Sequence, residues 1–133
     1  MMNDRRVTEP RRRPGQEPPK DLRERTKALA LRVIRLYCSL PKHGPANVIG
    51  HQLLRSGTSV GAHYCEAYRA RSRAEFVSKI EGGLQELEET NYWIELLIDG
   101  GIVPAQRLTQ LHEEVRELIA VFTASAITAK KEM

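Results

Sequence analysis

Apolar residues recur at intervals of three and four along most of the chain, a pattern typical of amphipathic α-helices. The first predicted helix begins at Asp21, which has the spacing of a capping box with Glu24, and ends before Pro41. The apolar positions of this helix are Leu29, Val33, Leu36 and Leu40.

Proline, capping and glycine residues mark the ends of the second and third predicted helices. Pro45 suits the first turn of the second helix, Ser72 and Glu75 form a second capping box, and Gly100 stops the third helix. The second helix has an apolar stripe at Ile49, Leu53, Val60, Tyr64 and Ala67, with Ser56 in the gap. The third has Phe76, Ile80, Gly83, Leu87, Ile94 and Ile98 on one face.

The fourth predicted helix opens at Pro104 and has a regular apolar seam. Its members are Leu108, Leu111, Val115, Leu118 and Phe122. No segment alternates in the manner of a strand, and the three loops are short. The sequence therefore predicts an all-α, antiparallel up-down-up-down four-helix bundle over residues 21–129, followed by a short tail over 130–133.

Residues 1–20 differ in composition from the rest of the chain. They hold six basic and three acidic residues and four of the seven prolines. Such a segment buries little and is predicted to be a flexible tail. It is either a solvated extension (or an artefact of the start codon) or a basic arm for nucleic acid. The arm would use Arg11, Arg12 and Arg13.

The predicted topology gathers basic residues at one end of the bundle. The start of helix one, the turn between helices two and three, and the C-terminus meet there. Residues 1–27, 66–75 and 127–133 together hold 14 basic and eight acidic residues. Such an end either serves solubility alone or binds the phosphates of nucleic acid. The candidate contacts are Arg69, Arg71, Arg73, Lys130 and Lys131.

A polar stripe also follows helix two, at Gln52, Arg55, Ser59, His63 and Glu66. Antiparallel pairing about the turn sets Arg55 level with Glu86 and Gln52 level with Glu89. The same pairing sets Thr58 and Ser59 opposite Gly83 and Gly82. The stripe is either a polar site inside the bundle, a structural ionic network, or a face buried in an oligomer. As a network it comprises Gln52, Arg55, Ser59, Glu66, Glu86 and Glu89.

The C-terminal part of helix three, residues 92–98, is apolar on almost every side. One bundle core cannot cover all of it, so the surplus predicts a partner surface. A second copy of the chain is the simplest partner. Tyr92, Trp93 and Leu97 are the candidate oligomer interface.

Signatures of catalysis and metal binding are missing from the sequence. No histidine follows a glutamate by three residues, as di-iron bundles require, and the helix around His112 lacks a second histidine. We therefore expect no enzyme activity, no cofactor and no metal. Two cysteines, no long apolar run and no secretory signal favour a cytoplasmic protein without a membrane partner.

Three segments carry a family resemblance: QLLRSGTSVGAHYCEA, the helix start SRAEF, and LQELEETNYW. They resemble small proteins encoded in intervening sequences of bacterial large-subunit ribosomal RNA genes, and the resemblance covers residues 22–122. His63 stands where asparagine is more usual, and Gly82 and Gly83 stand where serine or bulkier residues often occur. Matching positions are Gln52, Arg55, Ser59, Glu66, Ser72, Phe76, Glu86 and Glu89.

The resemblance implies a four-helix bundle and a homopentamer. These proteins are in turn similar to the accessory protein of diversity-generating retroelements, which implies a ring that contacts nucleic acid and a reverse transcriptase. Two functions are thus predicted. One is binding of ribosomal or other structured RNA, or of DNA, through the basic end. The alternative is a protein-interaction scaffold, for self-association or as a reverse-transcriptase accessory, without direct nucleic-acid binding.

Overall fold

The computed structural model describes residues 20–133. They form four helices: α1 (Lys20–Ser39), α2 (Gly44–Ala67), α3 (Arg73–Asp99) and α4 (Ala105–Lys131). Each helix packs against the next one along the chain, whereas α1 and α4 approach each other closely at few points. The predicted all-α four-helix bundle is confirmed, and no strand occurs within the described range. Residues 1–19, including Arg11, Arg12 and Arg13, lie outside it.

The start of α1 differs from the prediction. The helix already includes Lys20, so Asp21 lies inside the first turn and the predicted Asp21 cap is wrong. A carboxylate in the first turn still favours the helix, because it lies near the positive end of the helix dipole.

The predicted boundaries of the other helices are confirmed. Ser72 precedes α3 and its hydroxyl accepts a hydrogen bond of 3.1 Å from the Glu75 backbone N–H. Pro45 occupies the first turn of α2, and Pro104 directly precedes α4. Gly100 ends α3, and Gly101 adopts a φ of 69°, which favours glycine.

The predicted apolar stripes meet along the axis of the bundle. Of all the stripe positions only Ile49 and Ile98, near one end, are half-buried; the rest are buried. Tyr64 and Phe122 lie at the centre with 5.7 Å between their ring centroids. Burial of each large apolar side chain stabilises the fold by about 1.5–3 kcal/mol.

Two glycines permit close helix approach. A Cβ at Gly57 on α2 would lie 2.7 Å from Cγ2 of Val33 on α1. A Cβ at Gly83 on α3 would lie 2.7 Å from Cε2 of Phe122 on α4. Both distances are shorter than carbon atoms tolerate, so any larger residue would push the helices apart.

The predicted pairing of small residues between α2 and α3 is wrong. Gly82 and Gly83 face His63 rather than Ser59 and Thr58. His63 lies four residues beyond Ser59, so the partner of Gly82 is displaced by about one helical turn from the predicted level. The pair Glu66–Lys79 is displaced in the same sense, which shows that the length of a turn does not fix the facing pairs to better than one turn.

Candidate nucleic-acid interface and polar network

The turn between α2 and α3 presents two arginines to solvent. Arg69 and Arg71 are exposed on either side of Ala70, which is buried together with Tyr68. The turn is held by backbone hydrogen bonds from Arg69 N to Glu66 O (3.0 Å) and from Ala70 N to Ala67 O (3.2 Å). Because its apolar residues anchor the turn inward, its two arginines project outward.

The end of α4 meets the start of α3, so that two predicted phosphate contacts are paired within the chain. The Arg73 guanidinium lies 3.1 Å from a carboxylate oxygen of Glu132, and Lys130 Nζ lies 2.6 Å from Glu81. Glu132 and Glu81 neutralise the positive charges of Arg73 and Lys130, which the sequence-based prediction treated as free. Lys131 is exposed. Arg69, Arg71 and Lys131 make no ion pair with any residue in the range 20–133.

A second polar cluster links α2 to α3. Arg55 Nη1 lies 3.1 Å from Glu86 Oε1, and its Nη2 pairs with Glu89. Gln52 accepts a 3.4 Å hydrogen bond from Arg55 Nε. The predicted level of Arg55 with Glu86 therefore agrees with the contacts, whereas Glu89, which was predicted to lie level with Gln52, pairs with Arg55.

The Arg55 cluster lies on the surface, which corrects the expectation of a polar site inside the bundle. The Arg55 side chain is 48% exposed, compared with 15% for Glu86. Desolvation is the largest single influence on the Arg55 pKa and lowers it, but Glu86 and Glu89 together outweigh it, so the pKa is raised. The buried polar link between these helices is instead Thr90, whose Oγ1 lies 2.8 Å from the Ser56 hydroxyl.

The remaining members of the predicted network are separate from these pairs. The Ser59 hydroxyl donates to the Arg55 carbonyl of its own helix at 2.6 Å. Glu66 pairs with Lys79 at 3.3 Å. His63 lies between the two groups, with its Nε2 3.8 Å from Glu86 Oε2 and its Nδ1 4.0 Å from Glu66 Oε1.

The three predicted interface residues on α3 have different environments. Tyr92 is 53% exposed and its ring meets that of Trp93 edge-on, with centroids 5.1 Å apart. Trp93 is half-buried. Leu97 is wholly buried in the monomer core, so its assignment to the oligomer surface is wrong. Helix phase explains this, because Leu97 follows the buried Ile94 by three residues and the buried Thr90 by seven, and so shares the core face of α3 with them.

An open cleft of about 750 Å³ lies where the start of α2 meets the end of α3. Apolar side chains supply most of its lining, which comprises Pro41, His43, Pro45, Ala46, Ile49, Leu96, Asp99, Gly100 and Ile102. Within the described residues no three His, Cys, Asp or Glu side chains lie close enough together to hold a metal. No helix there is long and apolar enough to cross a membrane.

Sequence reasoning missed an ion pair between the first and last helices. Arg25 on α1 donates to both carboxylate oxygens of Glu114 on α4, at 3.0 and 2.8 Å, and reaches Glu117 at 3.4 Å. Nothing in the local sequence indicates this contact, because 89 positions separate Arg25 from Glu114. Only the packing of the bundle decides which faces of α1 and α4 meet.

Comparison with known proteins agrees with this architecture. The model of the 23S rRNA-intervening sequence protein family matches residues 20–124. The chain belongs to this family. A crystal structure from Bacteroides thetaiotaomicron, of a protein of unknown function from the S23 ribosomal protein family, is similar, with a TM-score of 0.75 and 32% sequence identity. The alignment covers 80% of this chain and 96% of that chain. A search of the curated proteins gave no match.

Membership of the 23S rRNA-intervening sequence protein family confirms the resemblance carried by the three sequence segments. Two positions at which the resemblance predicted a departure from the family pattern, His63 and Gly82, contact each other in the fold. His63 packs over Gly82, where an added Cβ would lie 3.0 Å from the imidazole Nδ1. The small residues on α3 therefore make room for the larger ring on α2.

Proposed function

We propose that this family member is a non-enzymatic, self-associating helical bundle that binds structured RNA through its phosphates. The binding surface is the end of the bundle formed by the α2–α3 turn and the end of α4. The observation that carries the proposal is the outward projection of Arg69 and Arg71 from an anchored turn, with Lys131 exposed nearby in the fold. Ribosomal RNA is the first probe, since the family takes its description from 23S rRNA intervening sequences.

The arrangement of ion pairs narrows the set of RNA contacts. Arg73 and Lys130 have carboxylate partners and contribute less charge to the end than the sequence indicates. The contact set is therefore Arg69, Arg71 and Lys131, and α1 begins at the same end of the bundle, at Lys20. An ordered backbone beneath the arginines supports binding, because less freedom is lost when a phosphate is held.

Self-association would strengthen such a surface. Several copies with this end on one side would form a basic ring, and the avidity of linked sites exceeds that of each alone. A homopentamer is the assembly that we propose from the family resemblance. Tyr92 and the half-buried Trp93 support a contact between copies on α3, since exposed aromatic side chains are enriched in protein interfaces.

The test is RNA binding across a salt series, with the mass of the same sample measured by light scattering. The probes are a ribosomal RNA fragment and a random duplex. Each phosphate contact contributes a slope of about −0.9 in log affinity against log salt concentration. The double variant R69Q/R71Q should therefore reduce the slope by about two units.

The matched control is K42Q/R116Q, which removes the same charge from exposed positions outside the basic end, one between α1 and α2 and one on α4. Its slope should stay close to that of the native protein. An equal loss in both double variants would indicate a general charge effect and contradict the assignment. An unchanged slope in R69Q/R71Q would do the same.

A protein-interaction scaffold is the second candidate function, and the exposed Tyr92 side chain is the observation that favours it. In that case the intact oligomer binds neither RNA probe at low salt. Its partner would then be another protein, and a reverse transcriptase is the class that the family resemblance implies.

A further inference from the structure

A groove of about 260 Å³ lies between the C-terminal half of α1 and the first turns of α4. Three arginines line it: Arg32 and Arg35 from α1 and Arg107 from α4. The Ser39 hydroxyl lies at the rim, and the buried side chains of Leu36, Leu108 and Leu111 complete the lining. The groove therefore combines concentrated positive charge with an apolar floor.

The groove lies along the contact between α1 and α4, called the seam below, where another pair of facing residues has opposite charges. Arg32 follows Arg25 by seven residues, and Arg107 precedes Glu114 by seven. Seven residues are about two helical turns, so Arg32 lies on the same face of α1 as Arg25, and Arg107 on the same face of α4 as Glu114. Because α1 and α4 are antiparallel, Arg32 and Arg107 lie at the same height, two turns from the Arg25–Glu114 pair. At the height of Arg25 along the bundle, a carboxylate joins the two helices, because Nη2 of Arg25 lies 2.8 Å from Oε1 of Glu114. At the Arg32 level both helices present arginines instead.

The surroundings of the groove supply little negative charge. The sequence contains no aspartate or glutamate between Arg25 and Cys65, and the first turn of α4 has no acidic residue. None of Arg32, Arg35 and Arg107 forms an ion pair with another residue in the part of the chain described. Like charges across a seam destabilise the packing unless an anion lies between them.

We propose that this groove is a phosphate-binding site in which the anion replaces the carboxylate that Glu114 supplies two turns away. Phosphate fits better than a single carboxylate, because its greater charge and additional oxygens suit the planar forks of several guanidinium groups. The leucine floor keeps one side of the site free of water, which strengthens the charge interactions. The phosphate comes either from a small molecule or from an RNA backbone.

The site is separate from the RNA-binding end under Proposed function. The groove lies near the end of α1 and the start of α4, whereas Arg69, Arg71 and Lys131 lie at the opposite end of the bundle. Failure of RNA binding at that end would leave this inference intact. Conversely, R69Q/R71Q should retain the full effect of phosphate on stability.

The first experiment measures thermal unfolding of the full chain with inorganic phosphate, against sodium chloride at equal ionic strength. A ligand that binds only the folded state raises the melting temperature by mass action. At a phosphate concentration ten times the dissociation constant, the expected rise is about 5 °C. A rise no larger than that in chloride would overturn the proposal.

The decisive variant is R107E, which places a carboxylate opposite Arg32, as Glu114 is placed opposite Arg25 two turns away. It should raise the melting temperature without phosphate and abolish the further rise with phosphate. The matched control is R116E, the same change at an exposed position on α4 outside the groove, which should keep the phosphate effect. R32Q is a second variant, which removes one guanidinium group without introducing a negative charge. A phosphate effect that is native-like in both R107E and R32Q would refute the site.

Two further probes identify the source of the phosphate. A nucleoside 5′-monophosphate that stabilises the native protein more than inorganic phosphate does, but not R107E, assigns the site to a small phosphorylated molecule. A smaller salt slope for ribosomal RNA binding in R107E than in R116E assigns it to an RNA backbone. Either result supports the groove as a phosphate site.

Discussion

Arg25 and Glu114 join the first helix to the last by two hydrogen bonds, of 3.0 Å from Nε to Oε2 and 2.8 Å from Nη2 to Oε1. Both side chains are only about one-fifth exposed, at 21% and 23%. The hydrogen bond to Glu114 is the main reason why the Arg25 pKa is raised. Because α1 and α4 otherwise approach each other at few points, this ion pair is a specific contact that joins the two helices.

Replacing Arg25 by glutamine should destabilise the fold by about 1–3 kcal/mol, because the partly buried Glu114 carboxylate loses a charged, two-point partner. Urea unfolding measures the change in the free energy of unfolding. Lys27→Gln, at an exposed position on the same helix, should change it by less than about 0.5 kcal/mol. Equal effects of the two substitutions would contradict a specific role for the pair.

The pH dependence of this contribution follows from the sign of the pKa shift. Folding raises the Arg25 pKa, so the stabilisation is complete below the pKa of arginine in the unfolded chain. It is lost only as the pH rises through the higher folded pKa. The difference in melting temperature between the native protein and Arg25→Gln should therefore be the same at pH 7 and pH 9. A difference that shrinks markedly over this range would refute the assignment.

The exposed Arg55 cluster should contribute little to stability. Arg55→Gln is expected to cost about 0.2–1 kcal/mol, since solvent screens the charges and two long side chains must be held in place. The buried pair that one interpretation of the sequence allowed would cost about 3–5 kcal/mol. A double-mutant cycle of Arg55→Gln with Glu86→Gln at low and high salt measures the coupling. Strong coupling that persists at high salt would indicate that the face is covered, for example in an oligomer.

Gly83→Ala should destabilise the bundle by about 1–3 kcal/mol, because the added Cβ would lie 2.7 Å from Cε2 of Phe122. Trimming the aromatic partner should relieve the clash. The cost of Gly83→Ala, measured by denaturant unfolding, should therefore be smaller in a Phe122→Leu background. Equal costs in the two backgrounds would show that the α3–α4 contact at Phe122 is not what requires glycine.

Tyr92 and Leu97 should respond differently to substitution, although the sequence grouped them together. Tyr92→Ser changes an exposed side chain, so under the proposed self-association it should lower the particle mass measured by light scattering, with little change in helix content. Leu97→Ala empties a core position and should destabilise the fold by about 2–5 kcal/mol. A Tyr92→Ser variant that keeps its native mass would remove Tyr92 from the contact between copies.

Local patterns were enough to predict the helices and most of their boundaries. The cap at Ser72, the proline at the start of α2 and the glycine stop after α3 act within a few residues of themselves. The seam of α4 likewise follows from the period of its own residues. Asp21 is the exception, since its spacing fitted a cap but α1 begins one residue earlier.

Charge pairing between distant helices was decided by tertiary structure alone. The sequence placed Arg73 and Lys130 among free basic residues, but the packing of α4 beside α3 brings Glu132 and Glu81 to them. The facing arginines of the α1–α4 groove arise in the same way. Helix period determines which residues share a face, whereas the rotation and tilt of each packed helix decide which faces meet.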